Sequence, residues 1–142
     1  MDLAKLTSLS SIYYEETNLD FLRPLPQMFS CGVQMICTQG EALVSTGAQH
    51  FSLKPMSELI FWNGSIMHLL DSSADFQVRL LLYPQSLFLK VAVSLDTTYF
   101  NYMREFPYFE HGKDGHTESW KSVNLWMDMA EMLFSGKSGP FV

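Results

Sequence analysis

The sequence contains few charged residues, and most of them are negative. Asp, Glu, Lys and Arg make up 17% of the 142 residues, and 9 basic against 15 acidic residues give a formal net charge of -6. A domain that binds nucleic acid through phosphate contacts usually carries a basic face. The charge balance therefore argues against nucleic acid as a direct partner of this chain alone.

Cysteine is also scarce. Cys31 and Cys37 lie in one predicted strand, on the same face and about 20 Å apart at the usual rise per residue. A disulfide requires Cα atoms within about 7 Å, so these two cysteines cannot bridge each other within that strand. We therefore expect two free thiols and a reducing cytoplasm.

Long hydrophobic runs are missing. The longest apolar stretch, residues 87–95, is interrupted by Lys90 and Ser94 and is too short to span a bilayer. Residues 1–11 contain no sustained apolar segment of the kind found in signal peptides. The sequence thus predicts neither secretion nor membrane insertion, and we expect a cytoplasmic protein.

Apolar residues are nevertheless plentiful. They make up 47% of the chain, and Met (9), Phe (11), Tyr (6) and Trp (3) contribute much of this content. A chain of this length with that composition can form one hydrophobic core without disulfides. Because charged residues fall below their usual share, we expect part of the apolar surface to contact a partner.

The pattern changes along the chain and indicates three segments. Residues 1–27 are predicted to form an N-terminal arm that ends in an extended stretch with Pro24 and Pro26. Residues 28–84 contain short β-like runs separated by turn residues, which is typical of a β-sandwich or barrel. The predicted strands are 31–38, 42–46, 50–53, 59–62, 66–70 and 76–83. Residues 85–142 form a predicted helical segment.

The last segment contains one stretch with an ambiguous pattern and one with a helical pattern. Residues 85–95 alternate as a strand would, yet they are apolar enough for a buried helix, and we favour the helix with Ser86 as its N-cap. Residues 117–134 clearly predict a helix, with Thr117 at the N-cap and Gly136 as the stop signal.

The helix over residues 117–134 has more apolar surface than one sheet can cover. At about 100° per residue its polar side chains form a narrow strip, and roughly 240° of the circumference is mostly apolar. The strip consists of Lys121, Asn124, Asp128 and Glu131. Either a second helix of the chain or another subunit would cover the surplus. For a subunit interface we expect the contact residues Val123, Trp126, Met129 and Leu133.

Metal-ligating and nucleophilic motifs are weak. His50 and His68 lie in the strand region without a His-x-His pair, and Glu58 is the carboxylate between them. Three or four ligands are hard to assemble from this set, so no metal and no other cofactor is expected. No G-x-S-x-G elbow and no Gly-rich phosphate loop is present. We therefore expect no enzymatic activity.

A ligand pocket is the more plausible kind of site. In the strand 76–83, Arg79 and Tyr83 share a face, and Arg79 would anchor an anion or hydroxyl if that face lined the barrel. Trp62 and His68 flank a predicted Asn-Gly turn, where they would suit a small polar ligand. An exposed Arg79 and a core Trp62 are the alternatives.

Residues 47–68 resemble the central motif of the N-terminal, cupin-like domain of AraC-family transcription regulators. Residues 51–53 (Phe-Ser-Leu) match the aromatic-x-Leu strand of that motif, and residues 57–58 (Ser-Glu) replace its Gly-Asp type turn. Residues 63–64 (Asn-Gly) replace its Pro-Gly, and His68 follows one residue later than usual.

The resemblance implies a mainly β fold with C-terminal helices: a cupin-like double-stranded β-helix, or jelly roll, followed by one or two helices. It also implies a bacterial effector-sensing and dimerisation domain, with a homodimer and a small-molecule effector as partners. DNA would be bound only through a helix-turn-helix domain C-terminal to residue 142, so we interpret the chain as truncated. The alternative is a stand-alone small cupin enzyme, a metal-dependent isomerase or dioxygenase using His50, His68 and Glu58.

Overall fold

The computed structural model describes residues 3–61, 65–87, 106–115 and 117–135. These residues form two antiparallel sheets and a long C-terminal helix. The strands are β1 (Tyr13–Thr17), β2 (Gln27–Phe29), β3 (Gly32–Gln39), β4 (Ala42–Ser45), β5 (His50–Leu53), β6 (Ser57–Phe61), β7 (Ser65–Ser72), β8 (Gln77–Tyr83) and β9 (Tyr108–Glu110). The helices are α1 (Lys5–Ser8) and α2 (Glu118–Phe134), with 3-10 turns at Asp20–Leu22 and Lys113–Gly115.

The two sheets are wound as a jelly roll. The five-stranded sheet has the order β1-β8-β3-β6-β9, and the four-stranded sheet has the order β2-β7-β4-β5. The consecutive strands β3 and β4 lie in different sheets and pair with β8 and β7, which are also consecutive. This winding is typical of double-sheet jelly rolls. The predicted fold class, mainly β with a C-terminal helix, is confirmed.

The main core fills the space between the two sheets. Val78, Leu80 and Leu82 of β8 point into it and are fully buried, in agreement with the predicted alternation. Cys31 and Cys37 also lie in this core as free thiols, and burial raises the pKa of each to about 11. Both cysteines face the same core as predicted, but Cys31 lies just before β3 and not within the strand.

The predicted strands between residues 31 and 83 are all present, with bounds shifted by at most a few residues. The segment 1–27 differs from a simple arm, because it adds β1 to the five-stranded sheet and the first residue of β2 to the four-stranded sheet. The boundary at residues 27 and 28 therefore falls within a strand. β1 alternates weakly in sequence, and its pairing with β8 along five residues makes it a strand.

The C-terminal helix is confirmed as α2. Thr117 occupies the N-cap position, but its side chain makes no capping hydrogen bond. Residues 85–87 are helical, so Ser86 lies within the helix and is not its N-cap. The rest of the ambiguous stretch up to residue 95 lies outside the described residues, as does Gly136. Within the described ranges, no helix is long and apolar enough to cross a bilayer.

Candidate functional site

The helix α2 lies against the outer face of the five-stranded sheet. Its residues Val123, Met127 and Ala130 are buried there. They form a second, smaller core with side chains of β1, β3 and β8, namely Tyr14, Ile36 and Leu81. The helix thus covers the middle of the outer face of the sheet, where the polar side chains of Arg79 and Glu58 are buried.

Arg79 of β8 anchors the polar strip of α2. The Arg79 Nε donates a hydrogen bond to the Tyr14 hydroxyl oxygen at 2.7 Å. The Arg79 Nη2 lies 2.8 Å from Asp128 Oδ1 and 3.8 Å from Glu131 Oε1, and Nη1 donates to Asn124 Oδ1 at 3.3 Å. Three of the four polar residues predicted to form a strip therefore turn towards the sheet.

The environment of Arg79 favours its charged form. Burial alone would lower the pKa of Arg79, but the hydrogen bonds to Tyr14 and Asp128 more than offset it, so its pKa is raised. Burial also raises the pKa of Tyr14 to about 12, which keeps this phenol protonated. Arg79 is only 9% exposed. It lines neither the barrel interior nor the open surface, because its face of β8 is covered by α2.

A broad apolar face of α2 remains in solvent because the strip is held by Arg79. Its five large side chains, each 42–65% exposed, cover about 120° of the helix. These residues, hereafter the outer face of α2, are Leu125, Trp126, Met129, Met132 and Leu133. Glu118 and Ser122 lie in the same arc near the start of the helix. Three predicted interface residues, Trp126, Met129 and Leu133, belong to this face, whereas Val123 packs on the sheet.

A second polar cluster lies at the first turn of α2. The His111 Nε2 is 2.7 Å from Glu58 Oε1 of β6, and the His111 Nδ1 is 2.7 Å from the Ser119 Oγ. Glu58 and His111 are buried, and Ser119 is exposed. The rings of Phe109 and Trp120 flank the imidazole at centroid distances of 4.7 Å and 5.6 Å.

Hydrogen bonds connect this cluster to the outer face of α2. The Gln34 Nε2 donates to Glu58 Oε2 at 2.8 Å, and the Tyr83 hydroxyl donates to Gln34 Oε1 at 2.8 Å. The Trp126 Nε1 in turn donates to the Tyr83 oxygen at 3.0 Å. Burial is the main reason that the pKa of Tyr83 is raised to about 12. Tyr83 thus positions Trp126 and does not line a pocket inside the barrel.

Sequence reasoning did not find the cluster of Glu58, His111 and Ser119. The three residues are separated by 53 and 8 positions, and no motif spans them. Two local features of the sequence mark these residues: His111 follows a short aromatic run, and Ser119 comes just after a helix N-cap. Neither feature connects them to Glu58. The pairing of β9 with β6, three residues long, brings His111 next to Glu58.

The other predicted site residues lie elsewhere. His68 is in β7 of the four-stranded sheet, and its Nε2 is 3.2 Å from the Arg23 carbonyl oxygen. It is therefore not brought together with Arg79 and Tyr83, which lie under α2 on the other sheet. Trp62 lies outside the described residues. The ligand-binding role of these residues stays a prediction.

The metal ligands of the enzyme alternative are divided between the sheets. His50 and His68 belong to the four-stranded sheet, whereas Glu58 faces His111 on the outer side of the five-stranded sheet. Packed sheets are about 10 Å apart, so these three side chains do not converge. Among the described residues, no group of three or more His, Cys, Asp or Glu side chains is placed to hold a metal ion.

A polar groove of about 390 Å³ lies beside Arg79. It runs between α2 and the ends of β3 and β8. Its polar lining residues are Glu16, Thr38, Gln39, Gln77, Asn124, Asp128 and Glu131. A molecule in this groove would contact both the sheet and the strip of α2 that Arg79 holds.

No protein-family model matches the chain, and no curated protein matches it. Several solved structures are similar at low identity. A protein of unknown function from Rhizobium leguminosarum bv. viciae 3841 is 15% identical with a TM-score of 0.39, over 51% of this chain and 62% of that chain. EutQ from Clostridium difficile is 12% identical with a TM-score of 0.37, over 52% of this chain and 56% of that chain.

Vicilin from Capsicum annuum is 13% identical with a TM-score of 0.38, over 72% of this chain and 36% of that chain. The similarity covers less than two thirds of each of these three proteins. Their TM-scores are too low to support an inference about function. The jelly-roll topology itself agrees with the cupin-like domain expected from residues 47–68, whereas the relation to AraC-family regulators stays a prediction.

Proposed function

We propose that this chain is the sensing and dimerisation module of a bacterial transcription regulator of the AraC type, and that two copies associate through the outer face of α2. The observation that carries the proposal is the exposure of Trp126, Met129 and Leu133 on one side of a helix whose other sides are occupied. The resemblance of residues 47–68 supplies the regulatory role.

The outer face of α2 suits a second copy of the same chain. Trp and Met are enriched at protein interfaces, and charged residues are depleted at interface cores. Glu118, near the start of the helix, is the one charged side chain in the exposed arc. Two chains with a net charge of -6 repel each other elsewhere, so association requires an apolar contact of this kind. A two-fold axis would place the same patch of both copies in one interface.

The helix cannot bury this face by rotating on its own sheet. A rotation would separate Asp128 and Glu131 from Arg79, whose guanidinium is buried and bonded in several directions. A buried charge without partners would destabilise the fold strongly. Leaving the apolar outer face of α2 in contact with water costs less free energy. The ion pair therefore keeps the outer face available to a partner.

The effector is proposed to act through the groove beside Arg79. Its lining includes Gln77 from β8 and both Asp128 and Glu131 from α2, so a bound molecule would change the contacts that orient the helix. DNA is proposed to bind through helix-turn-helix units C-terminal to residue 142. Two such patterns in the coding sequence after residue 142 would support this part.

The experiment is a measurement of molar mass by sedimentation equilibrium. Met129→Glu and Leu133→Glu place a charge in the outer face, and we expect the mass to fall from that of a dimer to that of a monomer. Lys121→Gln changes the net charge by the same amount on another side of α2 and should leave the dimer intact. Far-UV circular dichroism should be equal in all variants. A monomeric wild-type chain across the micromolar range would contradict the proposal.

The enzyme alternative receives no comparable support. It requires His50, His68 and Glu58 to converge, and these residues lie on two different sheets. We therefore propose no second function of that kind.

A further inference from the structure

We propose that Ser119, His111 and Glu58 form an acyl-transfer site in which Ser119 is the nucleophile. This inference goes beyond the regulatory role and does not depend on it. A nucleophile, a base and a group that orients the base are the three parts of such a site. Here the Ser119 Oγ and the Glu58 Oε1 each lie 2.7 Å from a different nitrogen of His111.

The hydrogen-bond chain determines the tautomer of His111. The Tyr83 hydroxyl donates to Gln34 Oε1, so the Gln34 amide nitrogen faces Glu58 and donates to its Oε2. The other carboxylate oxygen of Glu58 accepts from His111 Nε2, so in the neutral tautomer of the ring the proton is on Nε2. The lone pair of Nδ1 then accepts the Ser119 hydroxyl proton, as a general base requires.

Burial separates the roles of the three side chains. Glu58 is 6% exposed and His111 is 9% exposed, so the pair is shielded from competing water. Ser119 is exposed and can meet a substrate. A serine nucleophile requires this combination: a solvent-accessible hydroxyl that is hydrogen-bonded to a buried base.

The start of α2 supplies donors for the developing negative charge. The first N–H groups of a helix have no acceptor within the helix, and the helix dipole is positive at this end. The Thr117 side chain makes no capping hydrogen bond. The backbone N–H groups of Ser119 and Trp120 are therefore suited to bind an oxyanion next to the Ser119 Oγ.

The proposed reaction is the hydrolysis of an ester through an acyl-serine intermediate. The Ser119 Oγ attacks the carbonyl carbon of an ester and forms a C–O bond, while its proton passes to His111 Nδ1. The C–O bond to the leaving alcohol then breaks, and His111 returns the proton to that alcohol. Water attacks the acyl-serine in the same way, which releases the carboxylic acid and restores the hydroxyl.

The surroundings favour an ester with an apolar acyl group. Phe109 is 53% exposed and lies edge-on to His111, so it offers an apolar surface beside the imidazole. Trp120 flanks the imidazole on another side. The net charge of -6 disfavours anionic substrates.

The test uses the intact chain with a fluorophosphonate, which reacts covalently with activated serines, and with p-nitrophenyl butyrate. We expect one adduct per chain on the peptide that contains Ser119. Hydrolysis should fall to the background rate in Ser119→Ala and at least tenfold in His111→Gln. Ser122→Ala, which alters another exposed serine of α2, should keep both signals.

Three results would overturn the proposal: no adduct, an adduct on another residue, or hydrolysis that persists in Ser119→Ala. Because Ser119 is exposed, Ser119→Ala should leave the fold intact, and circular dichroism of this variant checks that. The test therefore stands even if the buried substitution His111→Gln disturbs the fold. The molar mass of Ser119→Ala reports on the proposed dimer separately, since Ser119 lies outside the outer face of α2.

Discussion

The space between the two sheets and the space beneath α2 are built on different interactions. The main core between the sheets consists of apolar side chains such as Phe29, Leu80 and Met67. Beneath α2, a smaller apolar cluster is accompanied by the buried polar residues Glu58, Arg79 and His111, each bonded to named partners. Hydrophobic burial is non-directional, whereas hydrogen bonds and ion pairs require specific geometry. The first space therefore stabilises the barrel, and the second orients the helix.

This difference explains why the outer face of α2 stays exposed. If only apolar contacts held α2, the helix could rotate to bury Trp126 and Met129, which are more apolar than the strip that now faces Arg79. The bonds from Arg79 to Tyr14 and Asp128 prevent that rotation. Polar contacts on the covered side thus determine the apolar surface on the open side.

The largest expected effect lies between the sheets. Leu80→Ala removes a fully buried side chain and should lower the free energy of unfolding by about 2–5 kcal/mol, through lost burial and the cavity left behind. Urea unfolding followed by circular dichroism measures it. Lys121→Ala, at an exposed position of α2 that is not part of its outer face, should stay within about 0.5 kcal/mol of wild type. Equal losses in the free energy of unfolding at the two sites would show that the space between the sheets is not the main source of stability.

A smaller effect is expected beneath α2. Arg79→Met removes the hydrogen bonds to Tyr14, Asp128 and Asn124 and should lower the free energy of unfolding by about 1.5–3 kcal/mol. Its partner Asp128 is well exposed and is rehydrated, which limits the loss. Near-UV circular dichroism should also change, because Trp120 and Trp126 lie on the loosened helix. An unchanged near-UV spectrum would mean that Arg79 does not orient α2.

Alkaline pH should lower the stability of the folded state through two tyrosines of the five-stranded sheet. Burial raises the pKa of Tyr14 and of Tyr83 from 10.0 to about 12, so the folded state keeps phenols protonated that the unfolded state loses. The stabilisation is complete below pH 10 and is lost as the pH rises towards 12, by about 1 kcal/mol per tyrosine near pH 11. Urea midpoints at several pH values measure the slope, to which the two buried thiols and the raised pKa values of Tyr13 and Tyr108 also contribute.

The double variant with Tyr14→Phe and Tyr83→Phe is the control for that slope. It removes two of the titrating phenols, so the loss of stability between pH 10 and 12 should become shallower, although the variant is less stable at neutral pH. A slope that is identical to that of wild type would show that other groups cause the alkaline loss.

The smallest effect is expected at an exposed ion pair. Lys54 Nζ lies 3.3 Å from Glu110 Oε1, and the Lys54 side chain is about half exposed. Lys54→Ala should change the free energy of unfolding by less than about 1 kcal/mol, since exposed pairs contribute little. The same urea measurement in high salt should remove even this difference. A loss as large as that of Arg79→Met would show that burial does not distinguish the two pairs.

The barrel was more predictable from sequence than the candidate site. Strands such as β5 and β8 alternate between apolar and polar residues and are bounded by turn residues, so their positions follow from local patterns. β1 and β9 were not predicted, because each depends on pairing with a distant strand. His111 and Glu58 are 53 positions apart, and only the pairing of β9 with β6 makes them neighbours.

The amino-acid pattern alone determined the alternating strands, the long helix at residues 118–134 and its surplus of apolar surface, because burial follows the period of the chain. Only the tertiary structure decided which side of the helix meets the sheet. That choice depends on Arg79, which is held by Tyr14 from β1 and Asp128 from α2. Residues so far apart in sequence interact only after the sheets have formed, and directional bonds between them carry no signature in local periodicity.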